Sequence, residues 1–175
     1  ESYNPFVYEK INGVVKRKDI AHAKALLAQA GYGDGIDPKT NKPLVLYFDT
    51  TATDADDQSN LDWIRKQFKK LGIQLVVRPS SYNRLQDKMS KGQTQLFGLG
   101  WNADYPDPEN FLFLLYGKNS KVETGGENAS NYQNSSFDAL FEKMKNMPNS
   151  TERQAVINKM VLILREDAPW IWGFI

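Results

Sequence analysis

The turn Trp101-Asn-Ala-Asp-Tyr-Pro-Asp-Pro-Glu109 gathers three carboxylates, Asp104, Asp107 and Glu109, with two aromatic rings, Trp101 and Tyr105. A carboxylate beside an indole can accept charge-assisted hydrogen bonds from an ammonium group, while the ring face adds apolar contact and attracts the cation. Such a turn suits an amine-bearing ligand. The same residues also have a plain structural use. Asp-Pro and Tyr-Pro pairs are ordinary turn chemistry, Asp107 can cap a helix beginning near Pro108, and Trp101 can belong to the core. A third reading makes Asp104 and Asp107 the paired carboxylates of a hydrolase, which needs two acids of separated pKa. Residues three apart on a tight turn project poorly across a scissile bond, so this reading ranks below binding.

Other chemistry is sparse. The chain of 175 residues has no cysteine, which excludes disulfides, thiolate metal sites and cysteine nucleophiles. His22 is the only histidine and falls in a helical run, so general acid-base catalysis near neutral pH has little to work with. Asp54-Ala-Asp-Asp57 resembles a calcium loop only superficially, lacking the glycine and distal glutamate at the required offsets; a solvated helix start accounts for it. Asn128-Ala-Ser130, Asn134-Ser-Ser136 and Asn149-Ser-Thr151 match the N-glycosylation acceptor pattern and are read as loop composition. No cofactor and no metal are expected. Lys and Arg number 22 against 21 Asp and Glu, interspersed, so neither nucleic acid nor anionic lipid is an expected partner. No apolar run reaches membrane-spanning length, and the first residues carry no signal segment; the expectation is a soluble chain that can begin inside a longer precursor.

The elements that must position the turn follow from periodicity. Asp19 can cap a helix with Ile20, Ala23, Leu26, Leu27 and Ala30 on one face, stopped by Gly31. Residues 31–43, dense in Gly, Pro and Asp, read as a loop. Leu44–Phe48 reads as a strand, Asp57–Leu71 as an amphipathic helix, Ile73–Val77 as a strand, the residues after Ser80 or Ser81 as a helix with Tyr82, Leu85 and Met89 on one side, and Gln95–Gly100 as a third strand. This β-α-β-α-β order forces parallel pairing with helices packed on the sheet, an α/β fold. Ligands of open α/β sheets sit beyond the carboxyl ends of the strands, and the Trp101 turn follows the third strand directly. A short helix is expected near Pro108, and residues 118–136 read as a long polar loop or flap. Two helices follow, one lined by Phe137, Leu140, Phe141 and Met144, the other opening on the capping-box pattern Thr151-Glu-Arg-Gln154 and ending before Pro169. Trp170–Ile175 reads as a strand paired inside a sheet, and residues 1–18 lack clear periodicity, an arm or interdomain connection within an otherwise single domain spanning 1–175.

The run Gly100-Trp-Asn-Ala-Asp-Tyr-Pro-Asp-Pro-Glu-Asn-Phe111 resembles the signature turn of family 5 extracellular solute-binding proteins, the oligopeptide-, dipeptide- and nickel-binding receptors of ABC importers. The likeness extends to Ala23–Tyr32, Pro43–Leu46, Phe68–Ile73, Phe137–Leu140, Arg153 and Ala168-Pro169, in the family's order. The resemblance implies a binding protein and not an enzyme: the carboxyl-terminal lobe, type II in fold, of a longer periplasmic or cell-surface bacterial protein whose remaining lobe closes on the ligand. It implies a peptide ligand and the membrane subunits of an importer as partners, with membrane contact only through that transporter or a lipid anchor. Nickel chelates and sugars are the alternative solutes within the family. The aspartate that pairs with the ligand's α-amino group in peptide-binding members matches Asp104, and the cleft tryptophan matches Trp101; Asn102 and Tyr105 complete the expected ligand-binding set. Where some oligopeptide-binding members carry an arginine three residues before the tryptophan, this chain has Gly98, so a fixed carboxylate contact from that position is not expected.

Overall fold

The computed structural model describes residues 3–172, which divide into two compact units: the chain up to Lys88 with Gln93–Leu99, and Met89–Gly92 with the chain from Gly100 onward.

In the first unit, the alternation of strand formers in the segment after Leu44 is realised as a parallel sheet of order β6-β5-β7, from β5 (Val45–Thr50), β6 (Gln74–Pro79) and β7 (Leu96–Phe97). Leu46 is in register with Leu75 and Phe48 with both Val77 and Leu96, so apolar side chains stack across strands on one face. Helix α2 (Ala55–Lys69) packs on β6 and buries Leu61, and helix α3 (Tyr82–Ser90) buries Leu85. The expected β-α-β-α-β order and α/β class are therefore present. β7 is shorter than the six residues expected because Gly98 and Gly100 bring no side chain to hold the strand, although Gly98 N–H still donates to Asp49 O at 3.3 Å. A Cβ added at Gly98 would make ordinary contact with the Phe48 ring, 3.6 Å away. Asp54 caps α2 by accepting from Asp57 N–H at 2.8 Å, and the Asp57 carboxylate accepts from Thr53 N–H, one residue before the cap, at 3.0 Å; these acids start a helix and among the described residues form no metal cluster.

The amino-terminal part differs from expectation. Residues 8–17 form an antiparallel hairpin, β1 (Tyr8–Ile11) and β2 (Val14–Arg17), turned by Asn12 and Gly13 at φ 50° and 82°, the positive pair a tight two-residue turn needs. Helix α1 (Ile20–Gln29) forms as expected, with Asp19 accepting from His22 N–H at 3.1 Å, but none of its residues is fully buried. Within the loop at 31–43 lies a small hairpin, β3 (Ile36–Asp37) with β4 (Lys42–Pro43). It is locked against the end of α2 by glycine: a Cβ on Gly72 would sit 2.1 Å from Asp34 O, and both Gly72 and Gly35 have positive φ.

The second unit is helical. α6 (Ser135–Met144) and α7 (Thr151–Asp167) pack together over Phe137, Phe141, Met144, Met160 and Leu164, with Leu115 and Tyr116 completing the core; the Tyr116 and Phe141 rings stack 4.5 Å apart. Asn134 caps α6 and Ser150 caps α7, one residue ahead of the expected Thr151, with its hydroxyl accepting from Arg153 N–H at 3.1 Å. α7 ends at Ala168, φ 45°, immediately before Pro169.

Residues 118–136 are neither an irregular loop nor a flap. They include a short helix, α5 (Lys121–Thr124), and fold around Asn128, which is fully buried. Its amide nitrogen donates to Tyr116 O at 3.1 Å and Tyr132 O at 2.9 Å, and its oxygen accepts from Tyr132 N–H at 3.2 Å and from the Ser130 hydroxyl at 2.9 Å. Trp170–Trp172 are not in a strand; instead the two indoles pack 5.1 Å apart, and the rest of the expected terminal strand lies outside the described residues. No described helix is long and apolar enough to cross a membrane.

Candidate functional site

The turn after β7 belongs wholly to the second unit and is organised by one residue, Asn110, on α4 (Glu109–Leu112). Asn110 is 2% exposed. Its side-chain oxygen accepts from Trp101 Nε1–H and from Asp104 N–H, each at 3.0 Å, and its amide nitrogen donates to Asp104 Oδ2 at 3.3 Å. One buried amide thereby fixes the indole of Trp101, the backbone at Asp104 and the orientation of the Asp104 carboxylate. Phe113 meets the Trp101 ring edge-on at 5.5 Å, closing the other side. Trp101 is half-buried, whereas Asn102, Asp104 and Tyr105 are exposed.

The carboxylates of the turn are engaged very differently. Asp107 Oδ1 accepts from Glu109 N–H at 2.8 Å and from Arg153 Nη2 at 2.8 Å, while Oδ2 accepts from Arg153 Nη1 at 2.9 Å. This is the bidentate geometry that a guanidinium and a carboxylate favour. Arg153 is itself buried and also donates to Asn149 Oδ1 and Met144 O. The Arg153 hydrogen bonds hold the Asp107 carboxyl below the usual carboxylate range despite the opposing effect of burial. Glu109 accepts the Tyr105 hydroxyl, and that bond pushes the phenol's pKa upward. Asp104 alone of the three keeps a solvent-facing carboxylate whose only side-chain partner among the described residues is the long bond from Asn110.

Trp101 and Asp104 are thus brought together through Asn110, while Tyr105 turns to Glu109. Asn102 is placed on the exposed turn without a described partner. Asp107 serves as helix cap and ion-pair anchor, and the paired-carboxylate arrangement with Asp104 loses its second member to Arg153. Sequence reasoning did not single out Asn110. Asparagine two residues after Pro108 reads as turn composition, and only the path of the chain shows that it points back under Trp101. An open polar depression of about 530 Å³ lies beside the turn, lined by Tyr105, Asp107, Glu109, Lys145, Met147 and Arg153, but neither Asp104 nor Trp101 faces it.

Residues 2–123 match the family model described as bacterial extracellular solute-binding proteins, family 5 middle. Heme-binding protein A of Haemophilus influenzae is 27% identical over 154 residues, covering 87% of this chain and 27% of that protein. Oligopeptide-binding protein OppA of Bacillus subtilis is 27% identical, covering 90% of this chain and 28% of OppA. Among solved structures, the periplasmic binding protein DppA from Helicobacter pylori in complex with peptide STSA superposes with a TM-score of 0.75 at 26% identity, over 94% of this chain and 33% of that one. The murein tripeptide-binding protein MppA of Escherichia coli gives 0.71 at 28% identity, over 85% of this chain and 27% of MppA. The chain spans about a quarter of the length of the curated relatives it matches. With a matching family model over residues 2–123 and the type II fold of these neighbours, the chain belongs to the family 5 bacterial extracellular solute-binding proteins.

Proposed function

We propose that this chain is a ligand-binding part of a periplasmic or cell-surface protein that captures peptides for an ABC importer, and that it binds without catalysis. Asp104 receives the peptide's α-ammonium group. The observation that carries this reading is the contrast within one turn: Asp107 and Glu109 are consumed by neighbours, while Asp104 is exposed, aimed by Asn110 and free to accept. A hydrogen bond to a charged group contributes about 1.5–3 kcal/mol, and the half-buried indole of Trp101 adds apolar contact and cation attraction beside it. Asn102 and Tyr105 lie on the same exposed turn and shape its rim. The main chain of an extended peptide would be held by backbone groups, leaving side-chain preference permissive. The remaining lobe of a longer protein, the importer's membrane subunits, and a lipid anchor or the transporter as the only membrane contact belong to the same proposal.

The hydrolase reading is weaker because it needs Asp107 available, and both its oxygens are occupied. The names of the relatives include binders of heme and deoxycholate, so the ligand panel has to reach beyond peptides. Calorimetric titration with tripeptides bearing a free or an acetylated amino end tests the assignment. The free amine should bind at least about tenfold more tightly, and Asp104→Asn should erase that difference. Equal affinity for the two peptides would remove Asp104 from the site; preference for heme, a bile acid, a nickel chelate or a sugar over every peptide would replace the ligand class.

A further inference from the structure

A second polar cluster lies in the first unit, at the carboxyl ends of β5 and β6. Asp49 is 0% exposed, and two cations close on it: Arg78 Nη2 donates to Oδ2 at 2.5 Å and Lys88 Nζ to Oδ1 at 2.6 Å. Asp49 and Arg78 are register partners in the parallel pair, so their side chains leave the same face, and the period of two puts Tyr47 and Ser80 on it as well. The Tyr47 ring underlies the Arg78 guanidinium, 4.8 Å from its centroid. Stacking and the ion pair together hold that guanidinium in one place.

The cluster has more donors than acceptors. One carboxylate meets a guanidinium and an ammonium, so the net charge of the three is positive. The Ser80 hydroxyl and Arg78 Nε are buried with no hydrogen-bond partner among the described residues. Unpaired buried donors are uncommon because burial strips their water without supplying a partner in its place. A purely internal ion pair would neutralise Asp49 with one cation, whereas two close on it here. The side chains of Arg78 and Lys88 are 37% and 20% exposed, so the cluster opens to solvent. It also lies at the end of a parallel sheet where ligands of α/β folds collect.

We propose that Arg78, Lys88 and Ser80 form an oxyanion site. A carboxylate or phosphate-type group accepts hydrogen bonds from the outward edge of Arg78, from Lys88 and, after a small adjustment of the strand end, from Ser80. Asp49 and Tyr47 position the guanidinium and do not touch the ligand. The site uses residues of the first unit only and does not depend on Asp104 or on the peptide reading.

The test is a titration of the 15N-labelled chain with inorganic phosphate and, separately, with sodium acetate, using sodium chloride at matched ionic strength as the blank. Saturable shifts of the Arg78–Ser80 amides beyond the chloride blank are expected; tighter phosphate marks a phosphoryl group, tighter acetate a carboxylate. Ser80→Ala removes a hydroxyl that has no partner among the described residues, so it should not lower thermal stability, and it should weaken the anion about threefold. Arg78→Lys keeps a cation for the buried Asp49 while losing the fork, and should weaken it about tenfold. Shifts that match the chloride blank, or a folded Ser80→Ala chain that binds as tightly as the parent, overturn the site.

Discussion

Arg153 is largely buried and delivers two parallel hydrogen bonds to Asp107, so removing the carboxylate charge leaves a buried guanidinium without its counter-charge. Asp107→Asn is expected to destabilise the second unit by about 3 kcal/mol, measured as a lowered urea midpoint at pH 7. The pH dependence follows from the sign of the shift. Asp107 titrates lower folded than unfolded, so its contribution is complete above the unfolded value of about 4 and is lost as pH falls through the lower folded value. Acid unfolding of Asp107→Asn should therefore be flatter below about pH 4 than that of the parent chain. In the sequence, Asp107 was legible as a helix cap because Asp before Pro-Glu is a local signal. Its pairing with Arg153 was not, since two residues 46 apart meet only through tertiary packing. The same holds for Asp104: its residue type pointed to an ammonium partner, but its exposure depends on where Asn110 points.

Among the elements, those with one buried face were legible and those held by side-chain-to-backbone bonds were not. α2, β5, β6, α6 and α7 carry apolar residues at the period of their own geometry, which is why their order was readable. The hairpin at residues 8–17 exposes both faces, so no alternation marks it; the Asn12-Gly13 pair between strand formers was the available signal. The stretch 118–136 is polar because its core is polar. Asn128→Ala would strip a donor from two backbone carbonyls at once, and an expected loss of about 3 kcal/mol, read from the denaturation midpoint, would confirm that this amide builds the loop. Gly72→Ala tests the contact between α2 and the small β3–β4 hairpin. With its Cβ at 2.1 Å from a backbone oxygen and φ at 78°, the variant should lose more than about 2 kcal/mol, whereas Gly13→Ala, with open space around it, should lose less.

At the scale of the whole molecule, the chain corresponds to about a quarter of its curated relatives, and on the proposed reading a remaining lobe shares the ligand contacts. The 175-residue chain is therefore expected to bind a free-amine tripeptide at least about tenfold more weakly than a protein of the relatives' full length, compared by calorimetry under the same buffer. Equal affinity would place every important contact within these residues. The buried amide of Asn128 has one more consequence, for how the chain can be made. It stands in an Asn-Ala-Ser triplet that eukaryotic secretory cells modify while the chain is still unfolded, and an oligosaccharide there would occupy the nitrogen that binds Tyr116 and Tyr132. Yeast or mammalian secretion should yield material that cannot close this loop, while bacterial production, which has no such step, should yield the folded chain.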